Sequence, residues 1–298
     1  MKLTPNDLQL LSQHAISAAK NAGQIISKYS NSFVAVNTKT GGTSLASQVV
    51  TEVDILCQNI ILQHLEPTCN TYDLALLTEE SPDTFDRLLK DFFWCIDPLD
   101  GTLPFIESTS GYAVSIALVS RQGIPCLGVI YDPLKQTLYH AIKGYGAFRN
   151  YQPWELSSAS TKQPLTFITD RSFKQHSLFP VVIEALRKIA SHLGHNDINC
   201  ISHGGAAMNA CWVLEKAPAC YFKFPKPENG GGSLWDYAAS ACIFSEIGAI
   251  SSDIFGKPLQ LNRPDSSFMN HQGVLYSSHR EIAKEIIQMF PQLQNSDC

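Results

Sequence analysis

The segment Phe92-Phe93-Trp94-Cys95-Ile96-Asp97-Pro98-Leu99-Asp100-Gly101-Thr102 passes from an apolar run into a pair of acids. Residues 92–96 read as a buried strand, and the run is expected to stop at Asp97. Pro98 supplies no ladder donor and presets the backbone for a turn. Asp97 and Asp100 stand three residues apart at this strand end, followed directly by Gly101 and the hydroxyl residue Thr102. Carboxylates so close repel one another unless a cation lies between them. Hard divalent ions such as Mg²⁺ take oxygen ligands of this kind, completed by water and substrate phosphate. Gly101 lets the backbone approach a ligand, and its N–H and that of Thr102 are placed to hold a phosphate oxygen. Taken alone, D-x-x-D-G-T also describes an ordinary polar turn.

Working outward, two further acidic stations appear. Thr78-Glu79-Glu80-Ser81 follows the apolar Leu74–Leu77, a second strand end with paired carboxylates. Trp235-Asp236-Tyr237-Ala238-Ala239 opens a helix with an acid in its first turn, which by itself only complements the helix dipole. Upstream, Thr51-Glu52-Val53-Asp54 places another acid in a first helical turn. In this order, T-x-x-D, E-E, D-P-L-D-G-T and W-D-x-A-A resemble the inositol monophosphatase superfamily of Mg²⁺-dependent, lithium-sensitive phosphatases, over essentially the whole chain.

The resemblance implies an α/β (α+β) fold, a layered αβαβα sandwich of the inositol monophosphatase and sugar phosphatase type. It implies two or three Mg²⁺ ions per site. Glu79, Asp97 and the Leu99 carbonyl would hold the first, and Asp97, Asp100 and Asp236 the second. Glu79 would serve a third through water, with Glu80 behind it. Thr102, bonded to Asp54, would orient the attacking water, and the N–H groups of Gly101 and Thr102 would hold the phosphate. Phosphomonoester hydrolysis is among the slowest uncatalysed reactions, so charge neutralisation has to supply much of the lowered barrier. Two metals about 4 Å apart clamp the attacking and leaving oxygens of such a displacement.

Composition narrows the setting. The 298 residues suffice for two domains or one large α/β unit. The content is 44% hydrophobic and 16% charged, ordinary for a globular protein. A net charge of −5 gives no reason to expect a nucleic-acid polymer or an acidic membrane as partner. The nine cysteines are scattered without a C-x-x-C, which points to reduced thiols and a cytoplasmic location. No apolar run reaches the roughly 18–20 residues needed to span a bilayer, and no signal-peptide pattern opens the chain. The partner expected is a small phosphorylated metabolite, with a homodimer left open.

Along the chain, Thr4-Pro5-Asn6-Asp7 reads as a capping box opening a helix to about Lys28. Phe33–Val36 reads as a strand, and the loop of residues 37–46 carries Lys39, a weak candidate for the site. A second helix starts near Thr51 and is expected to turn Ile55, Ile60, Ile61 and Leu65 inward. Residues 112–119, 126–132 and 137–142 read as an antiparallel meander. Beyond it, strands at 165–169, 198–202 and 220–224 alternate with helices at 180–192, 207–214 and 235–247. A boundary near Tyr151-Gln152-Pro153 divides the chain into residues 1–152, carrying most metal ligands, and 153–298, completing the site.

The branch of the superfamily is read from the second half. Gly204-Gly205-Ala206-Ala207, Cys220–Pro225, Gly256–Leu259 and Met269–Leu275 look most like 3'(2'),5'-bisphosphate nucleotidases, which convert adenosine 3',5'-bisphosphate to AMP. Gly204 and Gly205 would then shape the nucleoside pocket, with Lys223 or Lys226 near it. That branch has lysines where Leu103 and Asn209 stand here, and their loss removes cationic help for a second phosphate. Inositol monophosphatase is the alternative. A catalytically silent metal- or nucleotide-binding sensor is the reading of another class, disfavoured because every acidic station and Thr102 are intact.

Overall fold

The strand that carries Asp97, β4 (Phe92–Asp100), is buried on both faces, which is why its apolar run is continuous and not alternating. The computed structural model describes residues 2–30, 36–38, 49–156 and 163–294. In chain order these form α1 (Pro5–Tyr29), β1 (Val36–Thr38), β2 (Val49–Thr51), α2 (Glu52–Tyr72), β3 (Ala75–Thr78) and β4. Then come α3 (Thr102–Ile106), β5 (Ala113–Ser120), β6 (Pro125–Asp132), β7 (Thr137–Ile142), β8 (Gly146–Arg149) and β9 (Gln152–Pro153). The second half contributes β10 (Leu165–Ile168), α4 (Phe179–His192), β11 (Ile198–Ile201), α5 (Ala206–Glu215), β12 (Ala219–Lys223) and α6 (Leu234–Ile247). It ends with β13 (Ile250–Ser252), β14 (Val274–Ser277) and α7 (Arg280–Gln294).

A seven-stranded sheet runs β3-β4-β5-β6-β7-β8-β9, antiparallel except for the parallel pair β3 and β4. A five-stranded sheet runs β11-β10-β12-β14-β13, with β10 parallel to both β11 and β12. The side chains of β4 sort to two cores. Trp94 and Ile96 pack with Leu11, Ala15 and Ile26 of α1 and with Cys57 and Ile61 of α2. Phe93 and Cys95 pack on the other side with α5 and α6, whose far face meets Tyr221, Val274 and Tyr276 of the second sheet. Phe167, Phe222 and Leu275 cover that sheet's outer face together with α4 and α7. The order helix, sheet, helix, sheet, helix is the expected αβαβα sandwich. Each fully buried large aliphatic or Phe side chain contributes roughly 1.5–3 kcal/mol to holding the layers together.

Local chemistry explains the element ends. Thr4 and Asp7 form the expected capping box, with Thr4 N donating to Asp7 Oδ2 at 2.8 Å. Three expectations change. β4 continues through Pro98 to Asp100, with its register against β5 shifting between Asp97 and Asp100. An irregular ladder at that point tolerates a residue without a donor. On α2, Ile55 is 42% exposed, and the buried row is Val53, Cys57, Ile61 and Leu65, every fourth residue. Finally, α7, β13 and β14 form from residues to which the sequence reading assigned no element. The expected strand at 33–36 is described only from Val36, and Lys39 lies outside the described residues.

Candidate active site

Parallel strands of both sheets end at one place. β3 and β4 run side by side into Glu79 and Asp97, and the Glu79 N–H donates to the Ile96 carbonyl at 3.1 Å. Across from them, the carboxyl ends of β10, β11 and β12 lead to Asp170, Gly204 and Lys223. Ligands of open α/β sheets bind outside the carboxyl ends of strands because loops and helix N-termini gather there.

Asp97, Asp100 and Asp236 each bring a carboxylate oxygen to within 4.8 Å of the others. Asp97 is held by the Leu99 N–H, which donates to its Oδ1 at 3.0 Å. Asp100 takes two bonds from the start of α5: Ala206 N to Oδ1 at 3.0 Å and Ala207 N to Oδ2 at 2.8 Å. Asp236 is residue N3 of α6, and its Oδ2 accepts the N–H of the N-cap Ser233 at 2.7 Å. The capping role and the cluster therefore coexist: one Asp236 oxygen closes the helix end while the side chain reaches Asp97. Burial pushes all three carboxyls above the usual range. After burial, Glu79, Asp100 and Asp236 raise Asp97 further, and Asp236 raises Asp100. Lys223 and the Ser233 N–H pull Asp236 part of the way back. Crowded, dry, oxygen-only donors fit a hard divalent cation, which replaces the shared protons.

Glu79 is half-buried and lies outside the three-carboxylate group, close enough for its charge to raise Asp97; Glu80 is half-buried beside it. The Thr102 hydroxyl lies 3.3 Å from Asp54 Oδ1 and 3.3 Å from the Leu99 carbonyl oxygen. Asp54 is 1% exposed, in the first turn of α2, so the two residues meet in the interior. Gly101 stands at φ +86°, and a Cβ there would lie 2.7 Å from the Gly111 carbonyl oxygen. Only glycine makes this turn without strain.

Gly204 and Gly205 lie in close contact with neighbouring side chains. A Cβ on Gly205 would fall on the Asp100 carboxylate, and one on Gly204 would meet Asn209 Oδ1 at 2.5 Å. Asn209 is fully buried and donates to the Gly204 carbonyl at 3.1 Å. Lys223 donates from Nζ to Asp170 Oδ2 at 2.7 Å. Asp170 was missed in the sequence, although an acid just past a strand end is the same signal that marked Asp97. Gly111 was missed too: its carbonyl accepts the Gly205 N–H at 2.7 Å and joins the two halves of the site.

Crowded carboxylates gathered beside the strand ends of an αβαβα sandwich make a site that could hold a metal ion, of the kind a metal-dependent enzyme uses. The inositol monophosphatase family model matches residues 7–295, and the chain belongs to that family. Inositol monophosphatase 2 of Homo sapiens is 30% identical over 252 residues, 84% of this chain and 82% of that protein. The 3'(2'),5'-bisphosphate nucleotidase CysQ of Salmonella typhimurium is 31% identical over 229 residues, 74% and 82% of the two chains. Among solved structures, the extragenic suppressor protein suhB from Bartonella henselae shares the fold with a TM-score of 0.72. It has 21% identity, over 93% of this chain and 96% of that one. The protein is thus a phosphatase, an enzyme of a metal-dependent family that hydrolyses phosphomonoesters.

Proposed function

We propose that the chain hydrolyses a small phosphomonoester with Mg²⁺, at a site built from Asp97, Asp100, Asp236 and Glu79 together with the Leu99 carbonyl. The observation that carries this reading is the approach of Asp97, Asp100 and Asp236 to within 4.8 Å, with the Thr102–Asp54 contact beside them. Bound there, two or three Mg²⁺ ions would neutralise phosphate charge and acidify the attacking water. Thr102 Oγ1 orients that water, and Asp54 Oδ1 receives the proton passed through the hydroxyl. The N–H groups of Gly101 and Thr102 hold a phosphate oxygen, and Glu80 supports Glu79.

The substrate is a phosphorylated nucleoside or polyol. The nucleotidase expected from the second half and its inositol-directed alternative have relatives at similar identity. Phosphate release from adenosine 3',5'-bisphosphate, inositol 1-phosphate and fructose 1,6-bisphosphate, with Mg²⁺ and with excess chelator, separates them. Turnover of none, or turnover undiminished by chelator, would overturn the reading, and Mg²⁺ binding without turnover would favour a silent sensor. The eight described cysteines are all free, which supports a reducing cytoplasm. No described helix is long and apolar enough to cross a membrane.

A further inference from the structure

Glu79 and Glu80 are the two central residues of a turn from Thr78 to Ser81, directly after β3. The backbone closes this turn weakly: the Ser81 N–H donates to the Thr78 carbonyl at 3.5 Å, against the usual distance of about 2.9–3.0 Å. Gln58 completes the closure from the side. Its Oε1 accepts the Thr78 hydroxyl at 2.5 Å, and its Nε2 donates to the Ser81 hydroxyl oxygen at 3.0 Å. One amide therefore spans the turn, with a bond on either side of the glutamate pair. Gln58 and Thr78 are both buried, so water does not compete for the shorter bond.

Gln58 comes from α2, four residues after Asp54, and both are buried. Residues so spaced share one helix face, with Cβ atoms about 5–6 Å apart. From that face Asp54 meets the Thr102 hydroxyl at 3.3 Å, while Gln58 grips the glutamate turn. A single face of α2 thus ties the Thr102–Asp54 pair to Glu79, whose charge reaches Asp97. The turn also has supports that do not depend on Gln58. Thr78 pairs with Ile96 on β4, and the Glu79 N–H donates to the Ile96 carbonyl at 3.1 Å. Beyond the turn, Arg87 Nε donates to Asp83 Oδ2 at 2.8 Å. Loss of the Gln58 amide therefore leaves β3 and the following loop in place, and frees the glutamates to change their aim.

We propose that Gln58 is a positioning residue, which holds Glu79 at the angle that serves a divalent cation and fixes its spacing from the Thr102–Asp54 pair. The proposal rests on the reading of Glu79 as a metal ligand given above. Gln58 acts through Glu79, and not on the reacting atoms.

The test is Mn²⁺ binding without substrate, read from the EPR signal of the free ion, because Mn²⁺ takes the same oxygen donors as Mg²⁺. Gln58→Met keeps the side-chain length and removes both bonds. It should weaken Mn²⁺ binding about 10–100-fold, the usual cost of losing a group that orients a metal ligand. The Mg²⁺ needed for half-maximal turnover should rise by a similar factor, while the circular dichroism of the metal-free protein stays that of wild type. Thr78→Val combined with Ser81→Ala cuts the same two bonds from the turn and should reproduce the loss, which keeps the test decisive if Gln58→Met fails to fold. In a Glu79→Gln background, Gln58→Met should cost nothing further, because no carboxylate is left to aim. A glutamine that only supports the fold would lower Tm and leave Mn²⁺ affinity unmoved. Unchanged Mn²⁺ affinity in the variants that cut these bonds, or the same added loss in the Glu79→Gln background, overturns the proposal. Wild-type Mn²⁺ affinity in Glu79→Gln alone would instead overturn the reading of Glu79 as a ligand, and the role of Gln58 falls with it.

Discussion

Asp97 shows how much of a site one residue reveals. Its position after an apolar run, with Asp100 three residues on, was legible because strand ends and acid spacing are local properties of sequence. What it touches was not: Asp236 comes from a helix far along the chain, and Lys223 meets Asp170 across two strands. Three predictions belong at this scale. Since the folded-state pKa values of Asp97, Asp100 and Asp236 are raised, the metal-free protein has their full stabilisation only below the unfolded pKa near 4. It loses that stabilisation as pH rises through the raised values. Metal-free Tm should therefore fall from pH 4 upward, and Mg²⁺ should bind more tightly as pH rises because it displaces protons. Asp97→Asn removes a repelling charge, so it should raise metal-free Tm at pH 7 while lowering turnover at least about 10²–10³-fold. A lower Tm, or retained turnover, contradicts the assignment. For Thr102 and Asp54, loss of positioned base help costs about 10²–10⁴-fold. Thr102→Ala, Asp54→Asn and the double variant should lose similar factors, because each breaks one unit. Multiplicative loss in the double variant would separate the two residues.

At the scale of elements, periodicity carried most of the reading. The meander β5–β7 and the alternating strands and helices of the second half fall within a residue or two of expectation. Register is different: the extension of β4 past Asp97 depends on pairing with β5, and the exposure of Ile55 depends on where α1 lies against α2. α7 did carry a local signal, since Ile282, Ala283, Ile286, Met289, Phe290 and Leu293 recur at helical spacing and are all buried. Two glycines make contrasting predictions. Gly23 sits inside α1, where alanine would gain about 1 kcal/mol of helix propensity. A Cβ there would drive into the Tyr131 ring on β6, and such overpacking costs about 1–3 kcal/mol. Gly23→Ala should therefore lower Tm and leave kcat unchanged. Gly101→Ala strains the turn that places Thr102, so it should lower kcat as well. A Gly101→Ala enzyme of normal kcat would mean that the turn does not position the hydroxyl.

The whole molecule is joined through its middle layer. We propose units of 1–152 and 153–298, yet α5 and α6 are coded in the second unit and bury Phe93, Cys95, Ala117 and Tyr139 of the first. The same helices bury Tyr221 and Tyr276 of the second sheet, so neither sheet keeps its inner core if the other opens. Asp100 and Asp236 reinforce the connection, because the first caps α5 from β4 and the second stands at the start of α6 beside Asp97. Unfolding should accordingly be a single cooperative transition, with calorimetric and van't Hoff enthalpies equal, despite a chain long enough for two domains. A ligand that binds only the folded state stabilises it by about 2.7 kcal/mol at a hundredfold excess over Kd. Mg²⁺ should therefore move the entire transition upward, and Asp97→Asn should abolish that movement. Two resolved transitions, of which Mg²⁺ shifts only one, would show that the layers unfold independently and that the metal ligands do not span them.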